Sequence, residues 1–234
     1  MSRGKSIVGV LVLFALAVGV FGASSASAKA WYTCEEVAPN TGGFTDSHCT
    51  KKGIGNWSTI KIKSFPTLVV RTNTITTKIS ATIGGTSVEI SCAEINGESN
   101  LTGEETEGEA VDVFSGCEVI SPAKCKVSGG GFTTAPLHTT VVKAGEEEPA
   151  QMKEAPESGT TIATITLEGC ENTAFNKSFP LTGSAIGEVP LEEPSSLSFS
   201  GTAGGALKFG GQTATFVAKI HRRMFGSTGT VAFE

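Results

Sequence analysis

Beyond residue 60 the chain alternates apolar and polar residues in short runs, which glycine, proline or acidic residues separate. The runs are STIKIK, TLVVRT, TITTKIS, TSVEISC, AVDVFSG, KCKVS, LHTTVVK, TIATITLE, LTGSAIG, SSLSFSG, ALKFG, TATFVAKI and TVAFE. Successive side chains of a β-strand point to opposite faces, so a period of two residues is typical of half-buried strands. Many such strands with turns between them predict an all-β fold, either a β-sandwich or a jelly-roll-like domain.

Composition supports the all-β prediction, and the positions of the aromatic residues divide the chain into two parts. The chain is rich in Thr and Gly and poor in Leu, which favours strands over helices. Both tryptophans and the only tyrosine lie between residues 29 and 63, together with two cysteines. We therefore expect a small N-terminal module at residues 29–63, closed by a disulfide bond, and a β-sandwich-like domain at residues 64–234.

The first 28 residues have the features of a secretory signal peptide. Two cationic residues, Arg3 and Lys5, precede the apolar run SIVGVLVLFALAVGVFG, and ASSASA follows it with small residues around Ser27. We expect cleavage after Ala28. The apolar run is shorter than the roughly 20 residues that span a bilayer as a helix, so no membrane insertion is expected after cleavage.

All six cysteines follow the predicted cleavage point, and an even number of cysteines after a signal peptide indicates disulfide bonds. The turn-forming stretch EEVAPNTGGFTDSH joins the first two cysteines, and EVISPAK, with its Ser-Pro turn, joins the fourth and fifth. If these cysteines pair locally, the two remaining cysteines form the third pair. The expected pairs are Cys34 with Cys49, Cys117 with Cys125, and Cys92 with Cys170.

The tripeptide Gly-Cys-Glu occurs twice, at residues 116–118 and 169–171, and each copy follows an alternating run. A functional motif and a cross-linked strand end are both compatible with this pattern. We interpret both copies as strand ends, with Glu118 exposed to solvent.

No group of residues in the sequence forms a recognisable catalytic or metal-binding motif. The chain lacks closely spaced Cys-x-x-Cys pairs and a Gly-x-Ser-x-Gly sequence, and its histidines, His48, His138 and His221, lie in unrelated contexts. Only two aspartates are present, Asp46 and Asp112, and no calcium-binding loop is formed around either. We predict no catalytic residue, no cofactor and no metal ion.

Charged residues are concentrated in a few stretches of an acidic chain, whose formal net charge is −5. Two glutamate-rich stretches, residues 94–109 and 146–157, have the low apolar content of solvated loops. The basic stretch KIHRRMF, residues 219–225, is interpreted as a solvated strand end. An acidic surface repels phosphate groups, so the sequence predicts no nucleic-acid partner and no anionic membrane surface as a partner.

Several short motifs, distributed over most of the chain after the signal peptide, resemble motifs of other proteins. WYTCEE with GGFTDSHC, then EISC, FSGCE, TTAPL, LEGCE, LTGSAIG and FGGQTATF resemble a group of predicted secreted, cysteine-containing, β-rich proteins of soil actinobacteria. No activity is known for that group. The resemblance implies a bacterial source and a β-rich secreted architecture, but no reaction and no site residues.

The sequence favours a non-catalytic role for a secreted or cell-surface protein, either binding or structural. The expected partner is a cell-wall component or another extracellular ligand. The alternative is a secreted hydrolase that acts on an extracellular polymer such as a glycan. That alternative requires His, Asp or Glu side chains to converge in a concave pocket.

Overall fold

The computed structural model describes residues 30–49, 51–143, 148–201, 206–226 and 230–233. This part of the chain is almost entirely β-structure, with two single-turn 3₁₀ helices at Ser128–Gly130 and Thr173–Phe175 and no α-helix. The all-β prediction is confirmed. The predicted signal peptide, residues 1–28, lies outside the described residues.

Nineteen strands follow one another along the described chain. They are β1 (Trp31–Glu36), β2 (Gly42–Phe44), β3 (Lys52–Gly55), β4 (Trp57–Lys61), β5 (Thr67–Asn73), β6 (Thr77–Ile83), β7 (Thr86–Gly103), β8 (Thr106–Ser121), β9 (Lys126–Val127), β10 (Phe132–Thr133), β11 (Leu137–Lys143), β12 (Ala150–Pro156), β13 (Thr161–Glu168), β14 (Ser178–Thr182), β15 (Ala185–Val189), β16 (Ser196–Gly201), β17 (Lys208–Phe209), β18 (Gln212–Met224) and β19 (Val231–Phe233).

A small antiparallel sheet has the strand order β19-β1-β4-β2-β3. Four of its strands come from the N-terminal part of the described chain, and β19 comes from the C-terminal part. Trp31 of β1 lies opposite Phe233 of β19, and their rings meet edge to face with centroids 5.0 Å apart. The disulfide Cys34–Cys49 closes the loop between β1 and the β2–β3 hairpin, which confirms the first predicted pair.

The large antiparallel sheet closes on itself twice. In the first ring, β5 pairs with β7, and the pairing continues through β8, β11, β12, β15, β16 and β18 back to β5. In the second ring, β6, β7, β8, β9, β13, β14, β17 and β18 pair in that order, and β18 returns to β6. The long strands β7, β8 and β18 belong to both rings, so they hold the two halves together.

The core follows the period-two pattern of the strands. In the second ring, inward positions carry apolar side chains such as Ile79, Ile90, Ile165 and Phe209, all of which are buried. Burial of large apolar side chains contributes roughly 1.5 to 3 kcal/mol each. The first ring differs from the second, because its inward positions include charged residues.

Two of the three predicted disulfide pairs are wrong. Cys117 bonds to Cys92, which lies directly opposite on β7, with the two Cα atoms 3.9 Å apart. Cys125 bonds to Cys170, with Cα atoms 4.0 Å apart. The predicted Cys117–Cys125 and Cys92–Cys170 pairs required β8 to end at Cys117, whereas β8 continues to residue 121.

The strand ends explain why Cys125 has a different partner. After β8 the chain turns into β9, whose residue Val127 pairs with Leu167 at the end of β13. That pairing brings Cys125 beside Cys170, which follows β13 directly. The Gly-Cys-Glu copy at residues 169–171 therefore follows a strand end as predicted, but the copy at residues 116–118 lies within a strand.

The prediction that both glutamate-rich stretches are solvated loops is also wrong. Residues 94–109 form the facing ends of β7 and β8, and residues 150–156 form β12. Some of their glutamates point to solvent, but Glu107 and Glu154 are buried. The local sequence does not reveal this burial, because a buried glutamate is stable only beside a partner charge, and that partner lies elsewhere in the chain.

Candidate functional site

Five charged side chains lie inside the first ring, and we call them the buried ionic cluster. They are Arg71 on β5, Glu107 and Asp112 on β8, Glu154 on β12 and Arg222 on β18. None of them is more than 6% exposed. Arg71 and Arg222 are directly opposite each other on neighbouring strands, and Glu107 contacts both of these like charges.

Arg71 contacts all three acidic residues of the buried ionic cluster. Its Nε and Nη2 atoms donate to the two carboxylate oxygens of Asp112, each over 3.1 Å. Nη1 donates to Glu107 Oε1 over 2.8 Å, and Nη2 also donates to Glu154 Oε1 over 2.5 Å. The planar guanidinium suits this arrangement because it presents several donors in fixed directions.

Gly97 makes room for the Arg71–Asp112 pair. It lies on β7 between the two residues, opposite Arg71 on one side and opposite Asp112 on the other. A Cβ atom at this position would lie 2.1 Å from Asp112 Oδ1. The ion pair therefore crosses a strand at the one residue type that leaves the space open.

Arg222 joins the buried ionic cluster to the small sheet. Its Nε donates to Glu107 Oε2 over 3.1 Å, while its guanidinium carbon lies 5.3 Å from the centre of the Trp31 ring. Ser99 donates to the other oxygen of Glu107 over 2.5 Å. The Nη1 atom of Arg222 is buried and has no hydrogen-bond partner among the described residues.

The acidic residues of the buried ionic cluster outnumber the arginines by one. Burial raises the pKa of Glu107, but the charges of Arg71 and Arg222 outweigh burial and lower this pKa to about 2. At Glu154, burial outweighs the charge of Arg71, and the nearby Asp112 carboxylate adds to burial, so the pKa is raised.

An open groove of about 720 Å³ lies beside the buried ionic cluster. Its volume is within the range of small-molecule binding sites. Phe65 and Pro66 give it an apolar side, and hydrogen-bonding groups give it a polar side. The polar side includes Asn100, Glu109, His138, Glu157 and several threonines.

Two residues belong to both the groove and the surroundings of the buried ionic cluster. Glu107 lines the groove and contacts both arginines. Thr139 also lines the groove, and its hydroxyl donates to Glu154 Oε1 over 3.4 Å. The ion pairs therefore fix the strands that form this part of the groove.

A β-bulge places Glu109 in the groove. Between Gly108 and Ala110, β8 contains one residue more than either neighbouring strand, because its register shifts against both β7 and β11. Glu109 has a φ angle of 54°, a left-handed conformation that is uncommon for a residue with a side chain. Bulges often turn a side chain towards a functional site.

Hydrogen bonds hold the carboxylates of Glu109 and Glu157 in the groove. Asn100 Nδ2 donates to Glu109 Oε2 over 2.6 Å, and the backbone N–H of Glu109 donates to Glu157 Oε1 over 2.5 Å. The second oxygen of each carboxylate has no partner among the described residues. Each carboxylate can therefore accept a hydrogen bond from a ligand without losing its own support.

The three histidines occupy two places. His138 lies in the groove, whereas His48 and His221 contact each other with ring centroids 5.7 Å apart. Within the described ranges, no three His, Cys, Asp or Glu side chains are grouped closely enough to hold a metal ion. All six cysteines are in disulfide bonds.

The buried ionic cluster was not predicted, although the sequence contains a signal for it. Arg71 follows Val69 by two residues, and Arg222 follows Ile220 by two residues, so each arginine shares a face with a core residue. The stretch KIHRRMF was interpreted as a solvated strand end, but Arg222 is fully buried. Strand phase predicts burial here better than residue type does.

The fold and its cross-links define a class of protein: disulfide-stabilised and all-β. No family model matches the sequence, and no curated protein or solved structure matches the chain. Over the residues that the structure describes, no helix is long and apolar enough to cross a membrane.

Proposed function

We propose that the protein is a secreted or cell-surface binding protein that holds an extracellular carbohydrate, such as a cell-wall glycan, in the groove. Three disulfide bonds support an oxidising compartment, because cytosolic thiols are kept reduced. The features of the first 28 residues support the same compartment. The resemblance to secreted proteins of soil actinobacteria supports a bacterial cell wall as the source of the ligand.

The observation that carries this proposal is the chemistry of the groove. Sugars present hydroxyl groups that need donors and acceptors, and apolar C–H faces that need an apolar surface. Glu109, Glu157 and Asn100 supply the polar groups, and Phe65 with Pro66 supplies the apolar surface. The acidic net charge of the chain favours a neutral glycan over an anionic one.

A binding experiment tests this proposal. The purified protein is titrated with soluble fragments of cell-wall polysaccharide by calorimetry. Glu109→Gln and Glu157→Gln each remove a charged acceptor, and we expect each to weaken binding at least about tenfold. Glu118→Gln changes an exposed glutamate of the same strand outside the groove and is the matched control. Equal affinities for all four proteins would remove the groove from the binding site.

The alternative, a secreted glycan hydrolase, is favoured by one observation. Two carboxylates and an imidazole, from Glu109, Glu157 and His138, converge in the same concave groove. Paired carboxylates are what glycoside hydrolysis requires. Release of new reducing ends from the polysaccharide, lost in both glutamine variants, would establish hydrolysis. We expect binding without release.

A second experiment tests the compartment. The full chain is expressed in an actinobacterium, and the culture is separated into medium, cell wall and membrane. We expect the protein in the medium or wall, beginning at Lys29, with no free thiol. Recovery with the first 28 residues attached, or with free cysteines, would contradict the proposed secretion.

A further inference from the structure

A second open pocket, separate from the groove, lies where the small sheet meets β18. Its volume is about 590 Å³, and we call it the interface pocket. The side chains that line it come from four parts of the chain, and they are His48, Thr74, Glu192, Glu193, His221 and Arg223. None of these residues lines the groove.

Strand phase places His221 and Arg223 on the outer face of β18. Successive side chains of a strand point to opposite faces, and Arg222, which lies between them, is buried inside the first ring. Arg223 is exposed. The inward position of Arg222 therefore directs its two neighbours towards the interface pocket.

Hydrogen bonds order two of the loops that form the other walls of the interface pocket. The backbone N–H of Glu193 donates to the carbonyl oxygen of Pro190 over 3.1 Å, so Glu192 lies within a closed turn. On the small sheet, the backbone N–H of His48 donates to Asp46 Oδ2 over 3.2 Å. A ligand therefore meets walls that are already ordered, which reduces the entropy lost on binding.

Two of the charged groups around the interface pocket neutralise each other. The Glu193 carboxylate accepts from Lys219 and, over 2.8 Å, from the Ser196 hydroxyl. Lys219 lies on the same outer face of β18 as Arg223. This ion pair leaves one cation of the pocket, Arg223, and one carboxylate, Glu192.

Arg223 and Glu192 line the same interface pocket without pairing. Neither side chain forms an ion pair or a hydrogen bond with another residue of the described chain. A ligand that carries both charges can bridge them, because a guanidinium matches a carboxylate and a carboxylate accepts charge-assisted hydrogen bonds from an ammonium group. Glu192 disfavours a purely anionic ligand, and Arg223 disfavours a purely cationic one.

Neutral polar groups complete the lining of the interface pocket. His48 Nδ1 lies 3.4 Å from Ser47 Oγ. His221 Nδ1 lies 3.4 Å from Ser195 Oγ. A serine that donates to Nδ1 leaves the hydrogen of a neutral imidazole on Nε2, which can then donate to a ligand oxygen. The Thr74 hydroxyl can donate or accept, so the amide groups of a peptide find partners here.

We propose that the interface pocket binds a short peptide with a free amino group and a free carboxyl group, its carboxylate on Arg223 and its ammonium group on Glu192. The volume lies within the range of small-molecule sites and exceeds what a single small amino acid fills. The two histidines and Thr74 bind the amide groups. A peptide in this position contacts both the small sheet and β18.

Alanyl-alanine is the probe for the test, together with its N-acetylated and its C-terminally amidated forms. The ¹⁵N-labelled protein is titrated with each peptide, and amide chemical shifts give the site and the dissociation constant. We expect alanyl-alanine to shift the amides of Thr74, Glu192 and Arg223. Each blocked form should bind at least about tenfold more weakly, because one charge-assisted contact is lost.

Two variants assign the two ends of the peptide. Arg223→Gln should weaken binding of alanyl-alanine at least about tenfold and remove the effect of amidation, and Glu192→Gln should do the same for acetylation. Both side chains are exposed, so we expect both variants to keep the fold. The matched controls are Lys208→Gln and Glu118→Gln, which change exposed charges outside the interface pocket and should bind like the original protein.

The proposal is overturned if alanyl-alanine causes no shifts in the interface pocket, or if either blocked form binds as tightly as the free peptide. It is also overturned if Arg223→Gln and Glu192→Gln bind like the original protein, or if a control variant weakens binding equally. No glycan is present in these titrations, so their outcome does not depend on the proposed carbohydrate binding.

Discussion

Glu107 is the acidic residue that contacts both arginines of the buried ionic cluster, so its charge determines whether two buried cations are compensated. Replacement by glutamine keeps the size of the side chain and removes the charge. Removing one partner of a buried ion pair typically costs about 3 to 5 kcal/mol. We expect Glu107→Gln to lower the free energy of unfolding by that amount, measured by urea denaturation.

The control for this change is Glu118→Gln, on the same strand but exposed. Surface substitutions usually change stability by no more than about 0.5 kcal/mol. Equal unfolding free energies for the two variants would show that the buried ionic cluster contributes little to stability.

The pKa of Glu107 predicts how stability depends on pH. This pKa is about 2 in the folded protein and 4.5 for an unperturbed glutamate. A lowered pKa contributes stability above the unfolded value, and that contribution is lost as the pH falls towards the folded value. We expect the free energy of unfolding to decrease as the pH drops from about 4.5 to about 2, and this decrease to be shallower in Glu107→Gln.

Glu154 has the opposite effect on the pH dependence of stability. Because its pKa is raised in the folded protein, it favours folding at low pH and loses that contribution as the pH rises through its folded pKa. Of these two buried glutamates, only Glu107 therefore contributes stability that is lost in acid. A loss of stability in acid that is equally steep in Glu107→Gln, measured by denaturation at several pH values, would contradict this assignment.

At the scale of strands, Gly97 allows β7 to lie between β5 and β8 while Arg71 and Asp112 form an ion pair across it. A methyl group there would displace Asp112 from Arg71, because the added Cβ overlaps the carboxylate. Overpacking typically costs about 1 to 3 kcal/mol. We expect Gly97→Ala to lower the melting temperature clearly, whereas Gly43→Ala, in a strand with open space around it, should change little.

The disulfide bonds fix which strands are neighbours. Non-reducing peptide mapping should recover Cys92 with Cys117 and Cys125 with Cys170. Loss of the first bond in a Cys92→Ser, Cys117→Ser double variant should cost about 3 to 4 kcal/mol by chain entropy. Recovery of a Cys117–Cys125 peptide would instead contradict the observed register of β7 and β8.

Strand existence could be predicted from the sequence, but strand partners could not. LHTTVVK and TIATITLE coincide with β11 and β13, because alternation is a local property. The disulfide pairs failed because they depend on where β8 ends, and EVIS continues the strand where a turn was expected. The local loop Cys34–Cys49 was predicted correctly, since it requires no knowledge of distant strands.

The candidate site, like the strand partners, could not be predicted from local sequence. Glu109 and Glu157 lie in glutamate-rich stretches that suggested loops, and only the pairing of β7, β8 and β11 brings the groove residues together. The sequence could not predict this site, because it depends on long-range strand pairing and on one extra residue in β8.

At the scale of the whole molecule, the small sheet covers the ring that contains the charges. Trp31 packs against both Phe233 and Arg222, so one buried ring connects the N-terminal strand, the C-terminal strand and the buried ionic cluster. The two rings share the long strands β7, β8 and β18. The disulfide Cys92–Cys117 joins β7 to β8, and the disulfide Cys125–Cys170 joins the chain after β8 to the chain after β13. A rigid scaffold of this kind suits a preformed binding groove.

The proposed role depends on where the ligand binds, and amide chemical-shift mapping measures this most directly. The ¹⁵N-labelled protein is titrated with soluble cell-wall polysaccharide fragments. We predict that the largest shifts fall on Asn100, Glu109, His138 and Glu157 around the groove. Shifts confined to residues around the contact between His48 and His221, with none in the groove, would contradict the account.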